Sequence, residues 1–297
     1  MFGIHRLAYR IREFLMDPVL RRKPEIISEP TAQIGLKIIY RQLLHSGTPL
    51  PRLNEVGFKV FSQTDEDGIL LFIFSVIGTT NRLCVEICAG NGIECNTSNL
   101  IINHGWTGLL VDGNADLVRK GNEFYKANRA TYVFPPTFLH AWITRDNINE
   151  ILKNNHCQGQ IDLLSIDMDG VDYWIWDAIE IIAPRVVVAE YQDIIPADVS
   201  VTVPYSDDFK AADYPTTRGL PNFCGASLLA FTRLARVKGY RLVGVSRFSV
   251  NAFFIRADIA AEVIPEVSVN DCLTHPKAVW GMQERFPVVS HLPWQSV

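Results

Sequence analysis

The chain has 297 residues, of which 48% are hydrophobic and 20% are charged, and this composition is typical of a folded globular domain. Its formal net charge of −4 gives no reason to expect a nucleic acid or an acidic lipid surface as a partner. The longest apolar run, 69–77, is too short to span a bilayer, and the first residues lack the apolar block of a secretory signal.

Six cysteines are spread over the chain without a single Cys-x-x-Cys pair. Disulfide frameworks belong to short secreted chains, and structural zinc sites need closely spaced ligand pairs, so neither is indicated. We therefore predict reduced, buried thiols in a cytoplasmic protein.

The first 60 residues are predicted to form a helical segment ahead of the main domain. Ile4, Leu7, Ile11 and Leu15 recur at helical spacing, which predicts an amphipathic helix that docks on the body or on a second subunit. A homo-oligomer held by these N-terminal helices follows as a prediction. A membrane-surface helix is the weaker alternative, because acidic residues dilute its basic face. A further helix is predicted over 31–45.

From residue 64 onward the pattern predicts alternating helices and strands. Thr64 and Asp67 resemble a capping box at the start of a helix that ends before Gly78. The predicted strands that follow are 83–88, 108–112, 131–143, 161–167, 185–191, 240–246 and 251–256. The predicted helices among them are 92–103, 115–127, 146–154, 171–182 and 225–238.

Several of the predicted strands are apolar at nearly every position, as in 185–191, which is typical of parallel strands buried on both faces. The last two strands are separated by only four residues, so they must pair antiparallel. We predict an α/β fold with a mostly parallel, Rossmann-like sheet of seven strands, closed by an antiparallel hairpin and covered by helices on both faces.

A glycine-rich turn follows the first strand and leads into a predicted helix. Glycines allow a cofactor to approach the backbone, and a helix N-terminus offers unpaired N–H groups. A dinucleotide fingerprint would need a third glycine at Cys95, and Glu94 would repel a pyrophosphate. A cationic sulfonium cofactor instead tolerates Glu86 and Glu94, although a turn without any ligand stays open. The predicted turn contacts are Ala89, Gly90, Asn91 and Gly92.

Asp112 closes the second strand, 26 residues after Glu86. A carboxylate at this position can accept hydrogen bonds from both hydroxyls of a ribose. The alternative is an ordinary turn aspartate. Together with the glycine-rich turn, Asp112 predicts a site for an adenosyl cofactor.

Two further carboxylates, Asp167 and Glu190, end the fourth and fifth strands. Since these strands are neighbours in the predicted sheet, both side chains should emerge side by side at its carboxyl edge. Such a pair could hold Mg²⁺, act as a general base or bind an amine. In the alternative, Asp169 caps the helix at 171 and Glu190 pairs with a basic side chain.

Two ring side chains follow the third strand. His140 could lie near the adenine or near the acceptor, and in the second position it is a candidate catalytic residue. Trp142 could cover the face of the adenine ring. A lone histidine is more often structural than functional, and core packing is an equal alternative for Trp142. The loop 192–224 is long for a simple connection, and it is predicted to bind a polar acceptor and to close over the site. The alternative is a surface excursion that packs on the N-terminal helices.

At these residues the sequence resembles the FkbM-type class I S-adenosylmethionine-dependent methyltransferases, over roughly 60–256. The sequence departs from the pattern of that family at two positions, Cys88 and Gly113. A glycine is commoner in the family at the position of Cys88. The resemblance implies O-methylation of a hydroxyl, with Glu86, Gly90 and Asp112 among the cofactor contacts and Asp167 beside them. The matching stretches are Phe61-Ser62-Gln63, Glu66-Asp67-Gly68, Val85 to Gly92, Gly105-Trp106-Thr107-Gly108, Ile166-Asp167-Met168-Asp169-Gly170 and Gly225-Ala226-Ser227.

The sequence thus predicts a cytoplasmic methyltransferase that uses S-adenosylmethionine on a small-molecule or saccharide hydroxyl, and it leaves Mg²⁺ open as an additional ligand. Gln63 and Gly113 are further predicted cofactor contacts. The predicted organisation is an N-terminal segment 1–60, a cofactor-binding domain 61–260 and an extension 261–297. Two alternatives are open: an oxidoreductase dependent on NAD or NADP with a similar sheet, and a non-catalytic binding protein.

Overall fold

The computed structural model describes residues 30–297, so the predicted amphipathic helix near the N-terminus lies outside the described residues. Within them, the first helix, α1, spans Pro30–His45 and agrees with the predicted helix over 31–45. A proline in the first helical turn is favourable because its missing N–H group has no partner there in any case. Tyr40 of α1 packs against Phe72, with ring centroids 5.0 Å apart.

Between residues 66 and 256 the remaining elements include the alternating helices and strands that the sequence predicts, whereas the short strands within 201–221 and the elements after 256 were not predicted. The other helices are α2 (Glu66–Ile77), α3 (Ser98–His104), α4 (Ala115–Ala127), α5 (Ile148–Asn154), α6 (Asp172–Ala178), α7 (Leu228–Val237), α8 (Val269–Cys272), α9 (Pro276–Trp280) and α10 (Phe286–Val289). The strands are β1 (Leu83–Ile87), β2 (Thr107–Asp112), β3 (Thr137–His140), β4 (Gly159–Ile166), β5 (Ile182–Glu190), β6 (Val201–Thr202), β7 (Thr216–Thr217), β8 (Leu220–Pro221), β9 (Tyr240–Val245), β10 (Asn251–Arg256) and β11 (Gln295–Ser296).

Seven of these strands form one sheet in the order β3-β2-β1-β4-β5-β10-β9. All neighbouring pairs are parallel except those of β10, which runs antiparallel to both β5 and β9. The predicted fold class is therefore confirmed as a Rossmann-like, mostly parallel sheet with an antiparallel hairpin at its end. The carboxyl ends of β1, β2, β4 and β5 lie at one edge, where open α/β sheets bind their ligands.

The central strands are buried because successive side chains point to the two covered faces of the sheet. Val187 belongs to the hydrophobic cluster on one face and Val188 to the cluster on the other, and both are fully buried. Each such side chain contributes roughly 1.5–3 kcal/mol relative to an exposed one. Helix α2 is buried at every position from 66 to 75, as expected for a helix that is apolar all round.

Three predicted elements are shorter in the structure. The helix predicted over 92–103 begins only at Ser98, because the preceding residues form a turn. The extended segment predicted over 131–143 contributes only Thr137–His140 to the sheet. The helix predicted over 171–182 ends at Ala178, since the chain must turn before β5 starts at Ile182.

The loop 192–224 packs against the C-terminal residues. Strand β11 pairs with β6 of this loop. Lys277 donates to the Asp193 carboxylate at 2.5 Å, and Arg285 donates to the side chain of Asn222 at 2.9 Å. No helix within 30–297 is both long and apolar enough to cross a membrane.

Candidate functional site

Two cavities meet at the carboxyl edge of the sheet. The first, of about 340 Å³, is lined by Glu86, Asp167, Asp169 and Glu190 and is called the acidic cavity. The second, of about 620 Å³, is called the aromatic cavity and is lined by His140, Trp142 and Phe209 with the residues around them. Cys88, Asp112 and Met168 line both cavities. These shared residues form the boundary between two spaces of different chemistry.

Most of the predicted site residues lie around these cavities. Gln63, Glu86, Ala89, Gly90, Asp112, Asp167 and Glu190 line the acidic cavity. Asp112, Gly113, His140 and Trp142 line the aromatic cavity. Asn91 and Gly92 are among the lining residues of neither. The Asn91 side chain instead accepts from the N–H groups of Ile93 and Glu94, so its place in the structure indicates a role in shaping the turn.

The turn after β1 needs three residues in the left-handed region of backbone conformation. Cys88, Gly90 and Gly92 have φ angles of 60°, 58° and 66°. Glycine adopts this conformation without steric cost, whereas a residue with a Cβ is strained by about 1–2 kcal/mol. Cys88 therefore carries backbone strain where the resembled family more often has a glycine. The strained residue lies directly at the boundary of the two cavities.

Asp112 ties this turn to the end of β2. One carboxylate oxygen accepts from the N–H of Gly90 at 2.8 Å, and the other accepts from the N–H of Asn114 at 2.7 Å. Each carboxylate oxygen has two lone pairs, so two acceptor positions remain for a ligand. The structure thus fixes the orientation of this carboxylate and leaves it able to accept hydrogen bonds from hydroxyl groups of a ligand.

Glu86 lies deeper, with only 2% of its surface exposed. Its carboxylate accepts from the backbone N–H groups of Asn96 and Thr97, both at 2.9 Å, and from the hydroxyls of Thr97 and Ser165. These bonds replace helical structure over 92–97 and explain why α3 begins late. Glu86 shapes the floor of the acidic cavity, and its main contacts are with the protein itself.

Asp167 and Glu190 lie side by side, and Asp169 joins them. One carboxylate oxygen from each of the three residues lies within 4.8 Å of the others. Burial raises the pKa of Asp167 to about 7, helped by the charges of Asp172 and Asp169. Burial and the neighbouring Asp167 carboxylate raise the pKa of Glu190 well above its usual range. This cluster disfavours full ionisation and attracts a cation or a shared proton.

Neither alternative role for these carboxylates is found in the described residues. No side chain caps the start of α6, and the carboxylate of Asp172, its first residue, accepts from the N–H groups of Met168 at 2.6 Å and Gly170 at 3.0 Å, which precede the helix. Asp169 instead adopts a left-handed φ of 53° and joins the acidic cluster. Among residues 30–297, Glu190 forms no ion pair with a basic side chain.

Sequence reasoning missed several residues of the acidic cavity, among them Asp169 and Asn251. Asp169 could have been recognised from the spacing Asp167-Met168-Asp169 directly after a strand. Asn251 also lines this cavity, and it is paired with Glu190 across β10 and β5. No local motif marks Asn251, because its position depends on the antiparallel insertion of β10 beside β5.

The aromatic cavity is closed on one side by the loop 192–224. Trp142 donates its ring N–H to the backbone carbonyl of Asp207 at 2.9 Å. A Cβ at Gly113 would lie 2.9 Å from the Trp142 ring, so glycine permits the close approach of this ring to the end of β2. The His140 ring lies 3.1 Å from the carbonyl oxygen of Gly113. His140 therefore borders the aromatic cavity and is not among the residues lining the acidic one.

No protein-family model and no curated protein sequence matches the chain. Among solved structures, it is similar to a magnesium protoporphyrin IX methyltransferase from Synechocystis PCC 6803 with bound SAM, at 10% identity and a TM-score of 0.40, over 84% of this chain and 96% of that one. It is also similar to the CcbJ methyltransferase from Streptomyces caelestis, at 12% identity and a TM-score of 0.39, over 62% and 87% of the two chains. A third is the glycopeptide N-methyltransferase MtfA, at 9% identity and a TM-score of 0.38, over 64% and 92%. Similarities this weak carry no argument about activity, which depends on the side chains themselves.

Proposed function

We propose that the protein is an S-adenosylmethionine-dependent methyltransferase. The observation that carries the proposal is the position of Asp112 between an aromatic cavity and an acidic one. An adenosyl sulfonium has the same order of parts: a flat aromatic base, a ribose with two hydroxyls, and a cationic end.

The residues fit each part of this cofactor. Trp142 and Phe209 offer flat apolar surfaces for the base. Asp112 has two free acceptor positions for the ribose hydroxyls. The negative charge of the acidic cavity, which Glu86 and Asp112 also line, favours the positive sulfonium and ammonium groups. When bound, the cofactor supplies an activated methyl group.

The chain contributes mainly positioning to such a transfer. A direct displacement at a methyl group requires the acceptor to be held in line and water to be excluded. We propose that Asp167 and Glu190 face the acceptor, and that His140 supports the cofactor side. A hydroxyl of a small molecule or saccharide remains the proposed acceptor, as does membership of the FkbM-type group, and both are supported by the matching stretches of sequence.

The lining of the cavities disfavours a dinucleotide. Within 30–297, no lysine or arginine lines either cavity. The backbone N–H groups of Asn96 and Thr97, which precede α3, already donate to Glu86. A pyrophosphate would therefore meet carboxylates in place of the cations and free N–H groups that it requires.

Isothermal titration of the full chain with S-adenosylhomocysteine and with NAD tests the proposal. We expect S-adenosylhomocysteine to bind and NAD not to bind. Asp112→Ala should weaken the binding of S-adenosylhomocysteine by about 2–3 kcal/mol, roughly 30- to 150-fold, since hydrogen bonds to a charged group have this magnitude.

Asp116→Ala provides the matched control, because Asp116 lies four residues away with its side chain 81% exposed in α4. This variant should bind like the unsubstituted chain. Binding of NAD would favour the oxidoreductase. An Asp112→Ala variant that is folded and keeps full affinity would contradict the ribose assignment, and binding of neither cofactor would favour a non-catalytic protein.

A further inference from the structure

The acidic cavity gathers three carboxylates from the ends of two neighbouring strands. Asp167 follows β4, Asp169 lies two residues further on, and Glu190 ends β5. One oxygen of each lies within 4.8 Å of the others. Metal–oxygen distances of about 2.3–2.6 Å for Ca²⁺ and about 2.0–2.1 Å for Mg²⁺ place the ligand oxygens of one ion at most roughly 5 Å and roughly 4 Å apart, respectively. The three carboxylates are therefore close enough to share one Ca²⁺ ion as they stand, and a small side-chain rotation brings them within the range of Mg²⁺.

Asn251 supplies an independent observation. Its side chain is 1% exposed, and its amide nitrogen donates to a carboxylate oxygen of Glu66 at 3.1 Å. Because an ionised carboxylate can only accept, this bond fixes which end of the amide faces Glu66. The Oδ1 atom at the other end accepts no hydrogen bond from any residue in 30–297. A buried carbonyl oxygen without a partner is costly, so it indicates a missing ligand.

The charges of the cavity favour a cation over a neutral ligand. No lysine, arginine or histidine of the described chain is among its lining residues. A hydroxyl group could donate to only one of the oxygens. A divalent cation would contact the carboxylates and the orphaned amide oxygen together, and such oxygen ligands are those preferred by hard cations.

We propose that the acidic cavity binds a divalent cation of the Mg²⁺ type through the carboxylates of Asp167, Asp169 and Glu190, with Oδ1 of Asn251 as the fourth protein ligand. Four protein oxygens leave two positions of an octahedral ion for water or for oxygens of an acceptor. The role of the ion in methyl transfer rests on the proposed function, whereas its binding does not.

A titration with Mn²⁺, monitored by electron paramagnetic resonance, tests the site directly. The full chain is first treated with a chelator, and Mg²⁺ is added as a competitor. We expect one Mn²⁺ per chain, displaced by Mg²⁺. Asp169→Asn should weaken binding at least tenfold, and this exposed residue can be changed without disturbing the core. Asn251→Ala should also weaken it, and circular dichroism checks that this variant is folded. Asp146→Asn, with a side chain 86% exposed, is the control and should bind as the unsubstituted chain does.

The proposed metal site and the proposed methyltransferase function can be tested separately if S-adenosylhomocysteine binding is also measured in the presence of the chelator. Absence of Mn²⁺ binding, or equal affinity in Asp169→Asn and Asp146→Asn, would overturn the metal site even if the cofactor binds. A loss of S-adenosylhomocysteine binding in Asp169→Asn without any Mn²⁺ binding would show that the carboxylates hold the amino group of the cofactor instead. Metal binding without cofactor binding would refute the proposed function and leave the ion site standing.

Discussion

Replacement of Glu86 by glutamine separates a structural role from a cofactor contact. The carboxylate accepts hydrogen bonds from two backbone N–H groups and from two hydroxyl groups. A glutamine has one acceptor oxygen, so the N–H of Asn96 or Thr97 would face an amide NH₂ group. An unsatisfied buried donor costs about 1–3 kcal/mol, and the loss of a charged acceptor from the remaining bonds adds to this. We expect Glu86→Gln to lower the free energy of unfolding by about 3 kcal/mol.

The assay is urea unfolding monitored by circular dichroism, and a thermal melt is recorded for the same proteins. For a chain of this size, about 3 kcal/mol corresponds to a decrease in Tm of roughly 6–9 °C. Glu123→Gln is the control, because the Glu123 side chain is 65% exposed and pairs with Arg119 on the surface of α4. Its effect should be below about 0.5 kcal/mol. Unchanged stability in Glu86→Gln, combined with a large loss of S-adenosylhomocysteine affinity, would refute the structural role.

Two further predictions concern pH and backbone strain. Burial, aided by the charges of Lys37 and Arg82, lowers the pKa of His104 to about 4 from the usual 6.5. The unfolded chain therefore binds a proton that the folded chain does not, so stability is full above about pH 6.5 and is lost as the pH falls toward 4. Urea unfolding at pH 7 and at pH 5 measures how much the free energy of unfolding decreases between them. This decrease should be smaller by about 1–2 kcal/mol in His104→Gln than in the unsubstituted chain, and an equal decrease in both proteins would contradict the assignment. At Cys88, with its φ of 60°, Cys88→Gly should be about 1 kcal/mol more stable than Cys88→Ala; a more stable alanine variant in thermal melts would argue against strain there.

The fold was predictable because local patterns agree with the tertiary structure. The run Val186-Val187-Val188 is buried on both faces, as its composition indicates, and α4 has the predicted bounds of 115–127. Asn114 explains the sharp start of α4, since its side chain accepts from two N–H groups of the first turn. The helix predicted over 92–103 was wrong in its first six residues because Glu86, ten residues before Asn96, takes over the N–H groups there.

The candidate site was predictable where its residues follow strands of the sheet directly. Asp112, Asp167 and Glu190 were identified because the carboxyl ends of parallel strands meet at one edge. Asn251 was missed because it stands at the beginning of a strand, where no ligand residue is expected. Asp169 was named only in the alternative in which it caps the helix at 171, whereas the structure shows no side-chain cap there and places its carboxylate beside those of Asp167 and Glu190.

The reversed direction of β10 has a consequence for how such a protein can diversify. Since β10 runs opposite to β5, its first residue reaches the edge where the other strands end, and Asn251 arrives there on a short hairpin that starts with β9. The glycine-rich turn and Asp112 are encoded far upstream in the chain. Exchange of the segment 240–256 between homologous proteins should therefore alter the chemistry of the acidic cavity while the 88–112 region is retained.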